Sequence, residues 1–111
     1  MNPFGHTVTD HGDHVRLALA GDVDFAAHPT LAAQLTTLAG VGRAVVVDCS
    51  AVTFLDSMGL RALVEGRAAA IGAGVSFELA DLSQPVLRVI ELSGTAGLFK
   101  IGGPALPEPE S

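Results

Sequence analysis

The sequence is poor in cysteine and in basic residues. Cys49 is the single cysteine among the 111 residues, so no disulfide can form within the chain. Six lysine and arginine residues stand against twelve aspartate and glutamate residues, which gives a formal net charge of −6. Nucleic acid and anionic membranes are bound by clustered basic side chains, so this composition argues against both as partners.

Long apolar runs are also absent. No stretch approaches the roughly 20 apolar residues that cross a bilayer, and the first residues lack the basic start and apolar run of a signal peptide. We therefore expect a cytoplasmic protein without direct membrane contact. The 49% of hydrophobic residues suffices for one domain with its own core. We expect this domain at residues 1–102 and a flexible, proline-rich tail at residues 103–111.

Apolar periodicity predicts an α/β fold. Residues 4–9 and 14–20 flank a turn-rich segment and indicate an antiparallel hairpin. Helices and strands then alternate, with helices at His28–Ala39, Ser57–Ile71 and Gln84–Leu92, and strands at Ala44–Asp48, Val75–Leu79 and, in addition, Leu98–Ile101. This order implies a mostly parallel sheet of four to five strands. The hairpin forms its antiparallel edge, and about three helices pack mainly on one face.

The second predicted helix has two different faces. Its apolar stripe is formed by Leu60, Leu63, Val64, Ala68 and Ile71. The opposite, outward face carries Met58, Arg61, Ala62 and Glu65. We expect this face to contact a partner, with Met58 as an adaptable apolar anchor. Arg61 and Glu65 are also spaced as an ordinary i,i+4 ion pair, and both interpretations stay open.

Loops at the carboxyl ends of the predicted strands should meet at one rim. In an open parallel sheet these loops contact ligands and partners, and here they are residues 21–28, 48–58 and 80–84. Four polar side chains would then lie close together: Asp22, Asp24, Asp56 and Ser57.

Two interpretations of this acidic rim are open. Asp56-Ser57 directly precedes a helical pattern, where a side-chain oxygen can cap free backbone N–H groups. The carboxylates could instead bind a metal ion, but their spacing does not dictate a coordination geometry. The pattern therefore favours a solvated rim with helix caps over a metal site.

One long motif carries a family resemblance. Asp48-Cys-Ser-Ala-Val-Thr-Phe-Leu-Asp-Ser-Met-Gly-Leu60 resembles the STAS-domain signature of bacterial anti-sigma factor antagonists, Asp-x-Ser-x-Val-x-Phe-hydrophobic-Asp-Ser-x-Gly-Leu. Gly21-Asp-Val-Asp24 resembles the family's Gly-Glu-Leu-Asp loop, and residues 92–101 resemble its late Leu-Thr-Gly-Leu-x-x-Leu-Phe segment. The chain departs from the family at Thr95, where a leucine is usual, and in its proline-rich tail, where the family has a closing helix.

The resemblance implies a regulatory function. Ser57 matches the serine that an anti-sigma factor, itself a serine kinase, phosphorylates, and a metal-dependent serine phosphatase reverses this modification. Asp24 and Asp56 match acidic positions that affect phosphorylation or binding. In that family the unphosphorylated form captures the anti-sigma factor and frees the sigma factor. The chain would then be a binding module and a substrate, a monomer or weak dimer, and not an enzyme.

The sequence also leaves other functions open. A STAS domain can also be a docking subunit of a signalling assembly or a lipid-transport complex, with Ser57 unmodified. As an enzymatic nucleophile, Ser57 would need a base, and only His28 falls on the predicted rim. Leu55–Gly59 also lacks the first glycine of the nucleophile elbow. No glycine-rich segment has the lysine of a phosphate loop, so no cofactor is expected. We interpret Cys49 as a small, buried hydrophobic residue.

Overall fold

A five-stranded mixed sheet organises the fold. In the computed structural model, which describes residues 1–102, the strands lie in chain order across the sheet. They are β1 Gly5–Asp10, β2 His14–Val23, β3 Ala44–Leu55, β4 Phe77–Ala80 and β5 Lys100–Gly102, and the helices are α1 His28–Ala39, α2 Ser57–Gly72 and α3 Gln84–Ser93. β1 is antiparallel to β2, and every other neighbouring pair is parallel. The predicted fold class and hairpin edge are confirmed, whereas the predicted tail at 103–111 lies outside the described residues.

The strand order explains the position of the helices. Each helix joins a strand to its next neighbour, and every step advances in the same direction across the sheet. Because such crossovers are right-handed, all three helices fall on one face. Burial along β2 alternates accordingly: Val15, Leu17 and Leu19 are buried under the helices, while Arg16 and Ala18 on the other face are half-buried.

The core lies between the sheet and the helix layer. In α1, Leu31, Leu35 and Leu38 are buried, as their helical spacing predicted. They meet the inward residues of the central strands, among them Val45, Val47 and Leu79, in one continuous cluster. At about 25 cal/mol per Å² of buried apolar surface, this cluster supplies the main driving force for folding.

The central strand is longer than the sequence suggested. We expected it to end near Asp48, where polar residues begin, but β3 continues to Leu55. β2 runs beside it throughout, so that Ala20 pairs with Ala51 and Val23 with Leu55. The pairing register between β2 and β3 shifts twice, between Ala18 and Ala20 and between Gly21 and Asp22, and the two strands stay paired through both shifts. The polar side chains of this second half lie on the exposed positions of the strand and therefore do not end it.

The buried stripe of α2 also differs from the predicted one. Its buried residues are Gly59, Ala62, Leu63, Gly66 and Ala70. Of the predicted stripe, Leu63 is buried and Leu60 and Val64 are half-buried, but Ala68 is exposed and Ile71 is 56% exposed. Ala62, predicted on the outward face, is fully buried. Relative to the predicted orientation, the helix is rotated about its axis. Its small residues, rather than its large ones, face the elements that pack closest to it.

Two glycines of α2 permit this close approach. A Cβ at Gly59 would collide with the backbone carbonyl oxygen of Val23, and one at Gly66 would collide with the side chain of Leu35. The first contact sets α2 against the end of β2, and the second sets it against α1. The start of α2 is therefore fixed relative to the β2–α1 loop.

Cys49 lies in the interior of β3 and is fully buried. Burial, together with the nearby carboxylates of Asp48 and Asp81, raises the pKa of its thiol to about 12. The thiol is therefore protonated at neutral pH. This agrees with the sequence interpretation of Cys49 as a small buried hydrophobe.

We predict that Gly59→Ala destabilises the fold by about 1 to 3 kcal/mol, because the new methyl group meets a backbone atom that cannot turn aside. Gly72→Ala in the same helix is the control, since nothing lies within 4 Å of a Cβ there. That substitution should be neutral or stabilise the helix by up to about 1 kcal/mol. Urea unfolding of both variants measures the difference, and equal stabilities would contradict the packing described.

We also predict that Cys49 resists iodoacetamide in the folded protein at pH 8 and reacts at the rate of a free thiol in urea. Thiolate is the reactive form, and a buried thiol with a pKa near 12 supplies almost none of it. Mass spectrometry over a time course measures the alkylated fraction. Fast labelling without denaturant would show that β3 opens locally.

Candidate functional site

Asp56 joins three segments at the carboxyl end of the sheet. It is the N-cap of α2, with extended backbone angles, and its Oδ1 accepts hydrogen bonds from the N–H groups of Met58 and Gly59, both at 2.9 Å. Its Oδ2 accepts from the N–H of Phe25 at 3.1 Å, and its own N–H donates to the carbonyl oxygen of Val23 at 3.2 Å. One carboxylate thus fixes the β2–α1 loop to the start of α2.

Ser57 is the first residue of α2 and is exposed. The sequence predicted that a helix begins here, and this is confirmed. Asp56, rather than Ser57, provides the cap, so the Ser57 hydroxyl is not needed to satisfy the helix terminus. Within residues 1–102 the hydroxyl makes no hydrogen bond, and the N–H groups of Met58 and Gly59 bond to Asp56 instead.

Asp24 and Asp22 also lie at this end of the sheet. Asp24 Oδ1 accepts from the N–H groups of Ala26 and Ala27, at 3.1 and 3.2 Å, just before α1. Asp22 pairs with Phe54 across the β2–β3 ladder. The structure therefore brings together the ends of β2 and β3 with the predicted residues Asp22, Asp24, Asp56 and Ser57, which we call the Ser57 rim.

The carboxylates of the Ser57 rim are engaged by the protein itself. Asp22 accepts from the Thr53 hydroxyl at 2.7 Å through Oδ1 and from the Asn2 N–H at 3.2 Å through Oδ2. Both oxygens of Asp56 are likewise occupied. Within residues 1–102, no group of three or more His, Cys, Asp or Glu side chains is arranged to hold a metal ion. The acidic residues therefore act as caps and loop anchors.

Residues 80–84 do not belong to this rim, contrary to the prediction. Ala80 pairs with Asp48, seven residues before the end of β3, so this loop lies about 23 Å from the Ser57 rim along the strand. There Arg16 Nη2 contacts Oδ2 of Asp48 at 3.1 Å and of Asp81 at 2.9 Å. Burial opposes ionisation of Asp48, but hydrogen bonds from Ser50 and Arg16 outweigh it and lower its pKa. The extra length of β3 separates the loop at residues 80–84 from the Ser57 rim.

The outward face of α2 carries a small polar network. Arg61 Nε lies 3.4 Å from Oε2 of Glu65, so the i,i+4 pair exists, although Arg61 is largely exposed. Oε1 of Glu65 lies 2.6 Å from Nε2 of His28, the first residue of α1. The hydrogen bond with His28 is the main reason why the pKa of Glu65 is lowered, with Arg61 adding to it. Met58 is half-buried.

Sequence reasoning missed two apolar residues beside Ser57. Phe25 follows β2 and is 71% exposed, and Phe54 near the end of β3 is 48% exposed. The N–H of Phe25 bonds to Asp56, so this aromatic residue is held next to the α2 terminus. Exposed aromatic side chains of this kind are typical of protein interfaces. Strict alternation would have placed Phe54 on the same face as the buried Val52. The register shift between Gly21 and Asp22, where Gly21 pairs with Val52 and Asp22 with Phe54, puts Phe54 outside instead, and no local sequence signal marks it.

Comparison with known proteins decides the family. The family model described as Mlab, STAS domain matches residues 6–101. The chain belongs to the STAS domain family. A STAS-domain containing protein from Pseudomonas aeruginosa strain UCBPP-PA14 is 32% identical over 90 residues, which are 81% of this chain and 89% of that protein.

Solved STAS domains share the fold. An anti-sigma factor antagonist from Mycobacterium paratuberculosis superposes with a TM-score of 0.80 at 26% identity, covering 89% of this chain and 85% of that one. The anti-sigma factor antagonist SpoIIAA in its unphosphorylated form gives 0.74 at 18% identity, covering 88% of both chains. This STAS domain therefore has the architecture of anti-sigma factor antagonists. Within residues 1–102, no helix has the length and apolar character that a membrane crossing requires.

We predict that Asp56→Ala destabilises this STAS domain by about 1 to 2 kcal/mol, because it removes the cap of α2 and the anchor of the Phe25 N–H. Ser57→Ala is the adjacent control and should change the free energy of unfolding by less than about 0.5 kcal/mol. Chemical denaturation measures both. A Ser57→Ala loss as large as that of Asp56→Ala would show that the serine is structural.

Proposed function

We propose that this STAS domain is an anti-sigma factor antagonist whose partner binding is switched off by phosphorylation of Ser57. The unphosphorylated form binds an anti-sigma factor that is itself a serine kinase, and the sigma factor is released. A metal-dependent serine phosphatase restores the unphosphorylated form. The observation that carries the proposal is the exposed residue Ser57 at the first position of α2, beside an N-cap that Asp56 already provides.

The fold should tolerate a phosphate at this position. Phosphorylation adds about −1.5 to −2 charges. The positive end of the helix dipole stabilises a negative charge at the N-terminus by about 0.3 to 1 kcal/mol. The carboxylates of Asp24 and Asp56 are held nearby by backbone N–H groups, so they remain as like charges. Since Ser57 is exposed, solvent screens this repulsion in the free protein. We therefore expect the isolated domain to keep its structure.

A complex should not tolerate the same phosphate. A partner that covers Ser57 must remove the dianion from water or place its own groups against it, which can cost several kcal/mol. A loss of about 2.7 kcal/mol already corresponds to a hundredfold weaker affinity. The cost of phosphorylation thus falls on the complex, and this asymmetry makes the serine suitable as a switch.

The surface around Ser57 supports protein binding. Phe25, Phe54 and Met58 offer apolar area, and Arg61 and Glu65 offer charges at its border. Apolar centres with polar rims are the usual composition of such interfaces. We propose that these residues, with Asp22, Asp24 and Asp56 as loop anchors, form the partner-binding surface. Glu65 and Arg61 are partly occupied with each other, so the apolar residues should dominate the affinity.

The same geometry supports a role as substrate rather than catalyst. Ser57 would need an adjacent base to act as a nucleophile, and His28, the histidine predicted for this region, pairs with Glu65 instead. A kinase brings its own base and metal ions, so it requires of its substrate only an accessible hydroxyl. We propose that the domain is cytoplasmic, where such a kinase and ATP are found, and that it acts as a monomer or weak dimer.

The direct test is phosphate transfer from ATP by a co-encoded serine kinase. Mass spectrometry should find one added phosphate on the wild-type chain and none on Ser57→Ala. Ser50→Ala is the matched control, because Ser50 is also exposed but lies in the middle of β3. The Ser50→Ala variant should accept one phosphate, as the wild type does. Absence of transfer by any co-encoded kinase, or transfer to a residue other than Ser57, would contradict the proposal.

The second arm of the test is partner capture. The unmodified chain should retain the anti-sigma factor in a pull-down, and Ser57→Asp should bind it at least about a hundredfold more weakly while its far-ultraviolet spectrum is unchanged. Phe25→Ala should also weaken capture of the anti-sigma factor. The substitution removes exposed apolar area, and the largely exposed Phe25 side chain is not part of the buried core. If Ser57→Asp bound as well as the wild type, the switch would be refuted.

A second candidate function is docking without modification. The matching family model is described as Mlab, STAS domain, a description that names no sigma-factor partner. A docking subunit of a larger assembly, the alternative that the sequence left open, agrees with it equally well. Such an assembly, for signalling or lipid transport, would use the same surface and leave Ser57 unphosphorylated. Partner capture that persists with Ser57→Asp, together with no phosphate uptake, would support this candidate against the first.

A further inference from the structure

The strand β1 is an open edge of the sheet. Within residues 1–102 it pairs only with β2, in a register without a bulge from Gly5 to Asp10. Proteins usually block edge strands with proline, lysine, a bulge or short length, and β1 has none of these over its six residues. The opposite edge is protected, because β5 has three residues and begins with Lys100.

The hairpin identifies which backbone groups of β1 are unused. The N–H of His11 donates to the carbonyl oxygen of His14 at 3.0 Å, and bonded pairs in an antiparallel ladder recur at every second residue. The residues of β1 that bond to β2 are therefore Gly5, Thr7 and Thr9. The residues whose N–H and C=O groups point away from the sheet are His6, Val8 and Asp10.

We propose that β1 pairs with β1 of a second copy of this chain, antiparallel and with Val8 opposite Val8. This register joins the unused backbone groups of both strands into a continuous ladder through a two-fold axis, an isologous contact. It also places His6 opposite Asp10 of the second copy, and Asp10 opposite His6. The sequence His-Thr-Val-Thr-Asp at residues 6–10 is thus complementary to itself in reverse.

The side chains fit this register. Residues directly opposite share a face, so the two Val8 side chains, each 41% exposed in the single chain, would cover one another. Asp10 uses Oδ1 for Arg43, at 2.6 Å, and for the N–H of Gly12, at 2.8 Å. Oδ2 has no partner within the part of the chain that the structure describes, which leaves it for an imidazole N–H. The His6 ring, stacked on Phe4 at 5.7 Å, is exposed.

The arrangement leaves the Ser57 rim free. Gly5 of β1 pairs with Ala20, towards the end of β2 where the rim lies. An antiparallel two-fold axis through Val8 therefore places the two rims at opposite ends of the joined sheet. Both copies could bind a partner, and the proposal does not depend on whether Ser57 is modified.

The first experiment measures self-association of the full chain by sedimentation. The wild type should show a reversible, concentration-dependent monomer–dimer equilibrium. His6→Asp places a carboxylate opposite Asp10 of the second copy and should raise the dimer dissociation constant at least about tenfold. His6→Lys keeps an N–H donor opposite the Asp10 carboxylate and should stay within about threefold of the wild type. A chain that stays monomeric up to millimolar concentration would overturn the proposal.

The second experiment tests the register. In a bonded antiparallel pair the Cα atoms lie about 5.5 Å apart, which a disulfide can bridge. Val8→Cys should therefore cross-link into a dimer under mild oxidation. Thr9→Cys is the matched control, because its two copies would lie about 8 Å apart, beyond that reach. Cys49 is buried and takes no part. Equal cross-linking of both variants, or none by Val8→Cys, would overturn the register.

Discussion

The hydrogen bonds of the Asp56 carboxylate hold together the part of the molecule that matters for function. One oxygen satisfies two N–H groups at the start of α2, and the other holds the N–H of Phe25. Around it, Gly59 lets the helix approach the carbonyl oxygen of Val23 more closely than any larger residue would. The β2–α1 loop and the α2 terminus are therefore held together, and Ser57 lies exposed beside them.

Asp56 and Ser57 have different roles, and this difference matters for regulation. Asp56 caps the helix, whereas the Ser57 side chain makes no hydrogen bond within residues 1–102. A group added to Ser57 can therefore change what the surface binds without removing an interaction that the fold needs. If the serine had been the cap, phosphorylation would have cost stability as well as affinity, at about 1 kcal/mol for a typical cap. Our proposal of a phosphorylation switch depends on this separation.

The sequence predicted the fold class, the hairpin edge, the three helices and the start of α2 at Ser57, because alternation, helical spacing and capping residues are local signals. It failed where distant packing decides. β3 extends to Leu55 because β2 runs beside its second half, and that extension separates residues 80–84 from the Ser57 rim. The buried face of α2 was misplaced because Gly59, Ala62 and Gly66 are chosen for their small size, which apolar periodicity does not detect. The exposure of Phe25 and Phe54 is likewise set by what surrounds them.

The most direct test of the account is a map of amide chemical shifts for the chain carrying phosphoserine at position 57, compared with the unmodified chain. If the α2 terminus accepts the phosphate as it stands, the shift changes will be confined to the β2–α1 loop and the first turn of α2. Core amides such as those of Val45, Val47 and Leu79 will keep their positions. Shift changes that spread through β3 and β4, or loss of dispersion, would contradict the claim that Ser57 can be modified without disturbing the fold.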